Sequence, residues 1–379
     1  MKKIITIFIL FFTFILFANN VVAQDADTIL KEQYENSGAN EITKEIPTNI
    51  KEDLYNIADG QVNVENAGQL LDFKRVFQFV IDKMATIFKS EAKLFVTVIL
   101  IIFIYLIFKM LFGSFNNKSF ESIVNITITI CLIGAIFNSL IECTNSAINS
   151  INDISTFSKS LIPIMCGLMV AGGQPVSASI FDALLFIACE ICTYISVGLI
   201  LPLVNVYIGL IIAQSININV KLNNFTGFIK SAVNWMIGIV FTVFIGLMSL
   251  QSLISGAADT VTKRTVKFAI GSIIPVAGGV FGDAMETIFS CANSVKSLSG
   301  VFGIIIIALI IITPLLTIFS KYIIFKLLAL FSELMGANRF SSIISNFAGA
   351  FGILASLTLG SSILLISSFT IVLMSGVGK

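Results

Sequence analysis

Long apolar stretches, separated by shorter polar ones, run from Leu94 to Met374 and limit the chain to one class of fold. A helix needs about 20 mostly apolar residues to cross the hydrocarbon core of a bilayer. In that environment a helix also satisfies its own backbone hydrogen bonds. Only 12% of the residues are charged, against about 25% in ordinary soluble domains. The sequence therefore predicts an all-α polytopic membrane protein.

Eight segments are candidates for membrane spans. Two of them, 161–176 and 269–289, are interrupted by Pro and Gly, which disfavour a continuous helix. The remaining six are more regular, although two of these also contain a Pro. They are 94–112, 122–141, 183–213, 232–254, 301–320 and 343–374.

The first 23 residues predict a signal peptide. Lys2 and Lys3 precede an apolar run at 4–17, and Ala23 stands before a polar Gln24 at a plausible cleavage site. The alternative is an uncleaved membrane anchor. In either case the segment that follows is expected on the extracytoplasmic side.

Residues 24–92 form a polar arm before the predicted transmembrane domain at 93–379. Of the 22 Asp and Glu residues in the chain, 13 lie between Gln24 and Glu91. Apolar residues then recur at helical spacing between Leu70 and Phe88, which predicts an amphipathic helix at the end of the arm. That helix would lie on the membrane surface or pack against the membrane domain.

The distribution of Lys and Arg predicts the orientation, because cytoplasmic loops carry an excess of both. The segments 256–267 and 321–339 are basic and are expected in the cytoplasm. The segment 142–160 carries Glu142, Asp153 and Lys159 and is expected outside. Eight crossings that start from an external arm satisfy all three expectations.

A weak internal repeat has a spacing of 112 residues. Pro163 matches Pro275, Gly167 matches Gly279, and Pro202 matches Pro314. Units at 120–231 and 232–343 would each contain three spans, and an odd number of crossings would invert the second unit. Inverted repeats with broken helices form the central sites of many transporters. The alternative is a chance match in an Ile-rich chain.

Carboxylates inside the apolar segments are costly, so they are expected to face other helices or a polar cavity. Glu190 is the deepest of them. Asp182 opens its predicted helix and suits the positive N-terminal end. Asp283 and Glu286 share one helical face. Together with the helix-breaking positions, these residues are candidates for a conduit or for close helix packing: Pro163, Gly167, Glu190, Pro202, Pro275, Gly278, Gly279, Gly282, Asp283, Glu286 and Pro314.

Enzyme chemistry finds no support in the sequence. The chain contains no His and no nucleotide-binding Gly motif placed after a strand. Its six Cys residues lie in or beside apolar stretches, where we expect them to act as small hydrophobic residues. We expect no catalytic residue, no metal site, no cofactor and no nucleic-acid partner.

The segment 274–289, IPVAGGVFGDAMETIF, carries a resemblance to a known family. It continues through Lys296, Gly300, Pro314 and YIIFK at 322–326. With the signal peptide, the polar arm and the order of the spans, this pattern resembles the stage III sporulation protein AE family of endospore-forming bacteria.

The resemblance implies a role in the mother cell during sporulation. Members of that family belong to a secretion-like channel assembly that spans the two membranes around the forespore. The implied partners are other stage III sporulation membrane proteins and a forespore-side protein, and the implied location is the mother-cell membrane around the forespore. The alternative hypothesis is a secondary transporter that uses Glu190, Asp283 and Glu286 for coupling.

Overall fold

The apolar stretches form long helices, in which each segment satisfies its own backbone hydrogen bonds as a bilayer requires. In this computed structural model the described residues are 46–47, 50–51, 53, 73–112, 118–216, 223–273 and 278–374. Among them no strand occurs, and a π-helical turn, Tyr194–Ile200, joins α3 to α4 in one rod. The helices are α1 Phe73–Phe112, α2 Lys118–Ala171, α3 Pro175–Thr193, α4 Leu201–Ile216, α5 Asn223–Ile273, α6 Gly278–Leu334 and α7 Asn338–Met374.

Six rods in the described part of the chain are long and apolar enough to cross a membrane. This confirms the predicted all-α polytopic class. The predicted signal peptide at 1–23 and nearly all of the arm up to residue 72 lie outside the described residues. The domain boundary at residue 93 stays a prediction, and α1 continues through it without a break. The six are Phe77–Leu111, Glu121–Ala171, Pro175–Ile216, Asn224–Leu250, Ile288–Leu334 and Asn338–Met374.

Sharp turns reverse the chain after α2 and after α6. Gly173 has a φ of 74° and Gly336 has a φ of 78°, a region that glycine enters without the steric cost of a Cβ atom. After α6, the amide of Ala337 donates to the carbonyl of Ser332 at 2.9 Å. This is the 6→1 hydrogen bond that defines a Schellman motif at the end of a helix. Both turns therefore return the chain antiparallel to the preceding helix.

The α6–α7 pair forms the centre of the bundle. In the most apolar 18-residue stretch of α6, 61% of the residues are buried, and in that of α7 the share is 67%. In that of α1 only 11% are buried. Gly300 of α6 contacts Leu373 of α7, and Gly352 of α7 lies beside Tyr322 of α6. A helix that is apolar on all sides is expected inside a bundle. The outer helices, above all α1, expose their apolar faces.

The predicted spans differ from the observed helices in two places. Segments 122–141 and 161–176 were expected as separate crossings, but residues 118–171 form one helix that continues through Pro163. Segment 269–289 was expected as one span, but α5 ends at Ile273 and α6 begins at Gly278. The count of eight is therefore not confirmed.

The polar segment 142–160 is helical because one of its faces is apolar. The buried residues recur every three or four positions, which is the spacing of one helical face. Ser150, Ser155 and Ser158 are buried as well, and the other polar residues lie on the remaining faces, so the low average hydropathy of the segment does not end the helix. The buried apolar residues are Cys143, Ala147, Ile151, Ile154 and Phe157, and Leu161 continues the same face.

The predicted repeat units contain two rods each instead of three. Unit 120–231 holds α2 and the α3–α4 rod, and α5 and α6 hold most of unit 232–343. The inverted arrangement of the two units stays a prediction. The matched positions also differ in structure, since Pro163 lies inside a helix and Pro275 lies outside the described residues.

The two basic segments lie at opposite ends of the bundle. Residues 256–267 belong to the last part of α5, where Asp259 contacts the start of α3. Gly336, in the other segment, lies beside Lys109 at the end of α1. Lys296 of α6 lies near the contact of Asp259 with α3, and Leu334 at the end of α6 lies near Gly336. At ~1.5 Å per residue, about 57 Å of α6 separates Lys296 from Leu334. This differs from the expectation that both segments face the cytoplasm.

Candidate functional site: polar contacts between the helices

A buried lysine joins three helices in the middle of the bundle. Lys321 of α6 places its Nζ 2.9 Å from an Oε atom of Glu142 in α2 and 3.4 Å from one of Glu91 in α1. The lysine side chain is 2% exposed. Removing an ammonium group from water costs several kcal/mol, and nearby carboxylates offset that cost. We call Lys321, Glu91 and Glu142 the three-helix ion cluster.

The three-helix ion cluster lies where two helices change from polar to apolar. Glu91 precedes the apolar segment 94–112, and Glu142 follows the apolar segment 122–141. The sequence analysis assigned Glu142 and Lys321 to opposite sides of the membrane and therefore missed their contact. Carboxylates at the ends of two apolar stretches were the available signal, but they do not specify a partner 179 residues away.

A second polar group holds the turn between α2 and α3. The carboxylate of Asp259, in α5, accepts hydrogen bonds from the backbone amides of Val176 at 2.9 Å and Ser177 at 3.0 Å. These amides belong to the first turn of α3, which begins at Pro175, and no residue of the same helix can bond them. Asp259 therefore caps α3 from another helix, a task that the residue before the helix usually performs.

Gln174 precedes α3, but its side chain forms no capping bond. Its carbonyl oxygen accepts a hydrogen bond from the Nζ of Lys296 at 3.1 Å, and its amide group donates to Asn293 at 3.4 Å. Asn293 donates in turn to the carbonyl of Gly172 at 3.5 Å. Lys296 is fully buried. These residues and Asp259 form the α2–α3 turn cluster, which the sequence analysis did not find.

A third contact fixes a short N-terminal segment against the bundle. The buried carboxylate of Asp53 accepts hydrogen bonds from the Nζ of Lys83 in α1 at 2.8 Å and from the hydroxyl of Thr313 in α6 at 3.3 Å. Ile50 is buried beside it in the apolar core. The described part of the arm is therefore attached to the helices rather than separate from them.

Glu190 lies at the surface of the bundle and not in its interior. It pairs with Lys159 of α2 at 2.5 Å, and its side chain is 55% exposed. Lys159 also lies over the ring of Phe186 at 5.6 Å. The sequence analysis expected this carboxylate to be the deepest of the chain. The α2–α3 hairpin supplies the basic partner that the segment itself lacks.

The structure separates the other candidate residues. Pro163, Gly167 and Pro202 lie on exposed parts of α2 and α4, and Pro314 is half-buried in α6. No atom lies within 4 Å of the position that a Cβ would occupy at Gly167. Their role in a conduit or in packing stays a prediction. Pro275 lies outside the described residues, as do the surroundings of Gly278, Gly279, Gly282, Asp283 and Glu286.

A π-helical turn precedes Pro202. The amide of Leu201 donates to the carbonyl of Ser196, five residues earlier. Proline has no amide hydrogen to continue the α-helical pattern, and a π turn accommodates such an interruption without ending the rod. Ser196 also shares a buried hydrogen bond of 3.1 Å with Ser361 of α7, so the turn is tied to the central pair of helices.

The cysteines are free thiols, and four of the six are buried. This agrees with their expected behaviour as small hydrophobic residues. Among the described side chains, no group of three or more Cys, Asp or Glu residues is placed to hold a metal ion.

Comparison with known proteins shows which family has this architecture. The family model of stage III sporulation protein AE matches residues 55–376, which include every helix described above. The chain belongs to the stage III sporulation protein AE family. This confirms the resemblance that the sequence motif at 274–289 indicated.

One relative in the stage III sporulation protein AE family is the protein of that name from Bacillus subtilis (strain 168). It is 26% identical over 247 residues, which make up 65% of this chain and 62% of the relative. The match therefore spans less than two thirds of the relative's length. No solved structure matches the chain. The family is one of sporulation proteins, and the six apolar rods make this member a membrane protein.

Proposed function

We propose that this chain is a non-enzymatic membrane subunit of a channel assembly that connects mother cell and forespore during sporulation. One observation carries the proposal: the family match at 55–376 coincides with the helical bundle. The family model therefore covers the helical bundle. A family whose shared part is a bundle of membrane helices is consistent with a structural subunit of an envelope assembly.

The polar contacts in the bundle support a structural role. The three-helix ion cluster and the α2–α3 turn cluster each join at least three helices. Removing one partner of a buried ion pair is strongly destabilising, so such contacts hold the helices they join in one arrangement. Catalytic groups, by contrast, have to reach a substrate.

The proposed location is the mother-cell membrane that surrounds the forespore. The arm before α1 would then face the space between the two membranes, where a forespore-side partner can reach it. The remaining partners would be other stage III sporulation membrane proteins, bound through the exposed apolar faces of the outer helices. Membrane helices associate through close packing at small residues and through hydrogen bonds between helices.

The transporter alternative requires carboxylates that face a solute pathway. Glu190 is instead exposed and paired with Lys159, so its charge already has a partner. No contact of a described carboxylate favours coupled transport over the structural role. We therefore propose the channel subunit alone.

Compartment-specific expression tests the proposal. In a sporulating host that lacks its own family member, the full chain is expressed from a mother-cell promoter or from a forespore promoter. The readout is a reporter under a late forespore promoter, with a fluorescent fusion to confirm equal expression. We expect rescue from the mother cell only. Rescue from the forespore alone, or normal reporter activity without the protein, contradicts the proposal.

A further inference from the structure

Two lysines from different helices meet beside α7. Lys326 of α6 donates from its Nζ to the hydroxyl of Ser345 at 3.1 Å. Lys230 of α5 places its Nζ 3.3 Å from the position that a Cβ of Gly349 would occupy, one helical turn further along α7. The two ammonium groups are close enough for their charges to repel each other. We call Lys230, Lys326 and Ser345 the lysine site.

The lysine site has positive charge without a matching negative one. In the part of the chain that the structure describes, no carboxylate forms an ion pair with either lysine. Lys230 forms no hydrogen bond to a described residue, and the hydroxyl of Ser345 accepts one without donating one. A lysine has three N–H donors and a serine has one O–H donor. The site therefore offers two positive charges and several unused donors.

The lysine site lies inside the bundle and not at its end. Arg339 of α7 marks the end, where it donates to the carbonyl of Ser215 in α4 at 3.1 Å. The hydroxyl of Tyr207 in α4 lies 2.8 Å from the same Cβ position of Gly349 that Lys230 approaches. From Tyr207 to Ser215 the helix rises about 12 Å at ~1.5 Å per residue. Simple extension of Lys230 toward water at the end of the bundle therefore does not explain where its ammonium group lies.

The lysine site opens to the outside of the bundle. Lys230 is exposed, and Lys326 and Ser345 are half-buried, whereas Tyr207 and Gly349 are buried behind them. Two like charges that are partly removed from water raise the free energy of the site. An anion that enters from the surface and binds between them would lower it. Basic pockets between membrane helices bind anionic headgroups in this way.

We propose that the lysine site binds a dianionic phosphate group, supplied by the headgroup of a phosphomonoester lipid or by free phosphate. The number of charges selects this class of ligand. A phosphomonoester carries about −1.5 to −2 charges near neutral pH and has three strong acceptor oxygens. A carboxylate or a phosphodiester carries one negative charge and would leave one lysine without a counter-charge. Lysine binds phosphate as a point charge with rotatable donors, so no planar arrangement is required.

Two phospholipids with the same acyl chains test the charge requirement. Phosphatidic acid is a phosphomonoester, and phosphatidylglycerol is a phosphodiester. Native mass spectrometry of the full chain in a neutral detergent counts the bound lipid as each is titrated at about pH 8, where a phosphomonoester is close to doubly charged. Free phosphate is tested separately by thermal unfolding, because a ligand of the folded state raises the unfolding temperature. Chloride at equal ionic strength is the reference.

Lys230→Met and Lys326→Met each remove one charge and keep a side chain of similar length. Both variants should remain folded, because neither lysine has a described carboxylate that would be left unpaired. Circular dichroism checks this. The matched control is Lys93→Met on α1. Lys93 is also exposed, and its side chain forms no hydrogen bond or ion pair within the described residues.

The native chain is expected to bind one phosphatidic acid about tenfold more tightly than phosphatidylglycerol, the ratio that one further charge-assisted hydrogen bond produces. Either lysine variant should lose this preference, and Lys93→Met should keep it. If free phosphate is the source instead, it should raise the unfolding temperature of the native chain and of Lys93→Met but not of the two lysine variants. Either pattern supports the proposal and identifies the source.

Two results overturn the proposal. If the preference for phosphatidic acid or the stabilisation by phosphate is the same in Lys230→Met and Lys326→Met as in the native chain, the phosphate binds elsewhere. If the native chain binds both lipids equally and phosphate does not stabilise it, the site takes no dianion. A carboxylate of a partner protein is then the remaining counter-charge for the two lysines.

Discussion

At the scale of single residues, the surroundings of a charge decide its contribution. Lys321 and Lys159 both form ion pairs between helices, but the first side chain is 2% exposed and the second 31%. Lys159 pairs with one carboxylate on a neighbouring helix, whereas Lys321 contacts carboxylates of two other helices. In the interior, losing one partner leaves the other charge unpaired and poorly solvated.

Replacing Lys321 by Met should therefore destabilise the bundle. Met keeps an apolar side chain of similar length but leaves the carboxylate of Glu91, which is 14% exposed, without its ammonium partner. The expected loss is about 3 kcal/mol, at the lower limit for a buried pair because Glu142 is largely exposed. Thermal unfolding in detergent, followed by circular dichroism, measures the change.

Lys159→Met is the matched control for that experiment. Its pair with Glu190 lies on the outside of the bundle and joins only α2 and α3, so the expected loss is smaller than for Lys321→Met. If the two variants unfold at the same temperature, the three-helix ion cluster does not stabilise the fold.

Asp259 provides a second prediction for a single residue. Asp259→Ala removes the acceptor of two amides in the first turn of α3. The loss of a helix cap costs about 1–2 kcal/mol. We expect faster proteolysis at the turn 172–174 in the full chain, measured by mass spectrometry of the fragments.

Asp182→Ala is the control for the cap. It removes a carboxylate from the same helix, but this carboxylate is exposed and forms no hydrogen bond within the described residues. Equal rates of cleavage in the two variants would show that the cap does not hold the turn.

At the scale of helices, close approach depends on glycines that the sequence analysis did not select. A Cβ at Gly360 of α7 would overlap the ring of Phe241 in α5. Gly134 of α2, by contrast, has nothing within 4 Å. Both lie inside helices, so their own preferences for helical structure are equal. Only the neighbouring helix distinguishes them.

Gly360→Ala and Gly134→Ala should therefore have opposite effects. At Gly360 the aromatic ring must move, and overpacking costs about 1–3 kcal/mol. At Gly134 the alanine favours the helix by up to about 1 kcal/mol. Thermal unfolding of both variants under the same conditions checks the signs. Stabilisation by Gly360→Ala would show that α5 and α7 are not in close contact there.

At the scale of the whole molecule, the long helices determine which segments share a side of the membrane. Asn224 and Thr265 both belong to α5 and are separated by about 60 Å of helix at ~1.5 Å per residue. This length exceeds the roughly 30 Å hydrocarbon core of a bilayer. Glu333 lies at the end of α6 beside Gly336, at the opposite end of the bundle from the last part of α5.

Single-cysteine labelling distinguishes this topology from the eight-span prediction. In a cysteine-free background, Thr265→Cys should react with an impermeant thiol reagent from one side of the membrane. Glu333→Cys should react only from the other side. The eight-span prediction instead places both segments, 256–267 and 321–339, in the cytoplasm. Labelling of both positions from the same side would contradict the observed arrangement of α5 and α6.

Much of the fold was predictable because its signals are local. Apolar stretches of sufficient length predicted the all-α membrane class, and the motif at 274–289 indicated the family that the match at 55–376 confirms. The helical periodicity at 142–160 was equally present in the sequence, from Cys143 to Leu161. Average hydropathy hides it, because the apolar residues form only one face of the helix.

The contacts of the site were not predictable from local signals. Lys321 and Glu142 are 179 residues apart, and Asp259 caps a helix that begins 84 positions earlier in the chain. The charge of each residue is visible in the sequence, but which opposite charge it meets depends on how the helices are arranged.

The sequence by itself determined that this protein consists of apolar helices, since helix formation and burial in lipid depend on composition and spacing within a single segment. The tertiary structure decided that Glu190 is a surface residue, that Lys321 is a buried one, and that α2 is a single helix. Those outcomes depend on packing between segments that are distant in the chain. The free energy of burying a charge depends on its partners, and only the assembled bundle provides them.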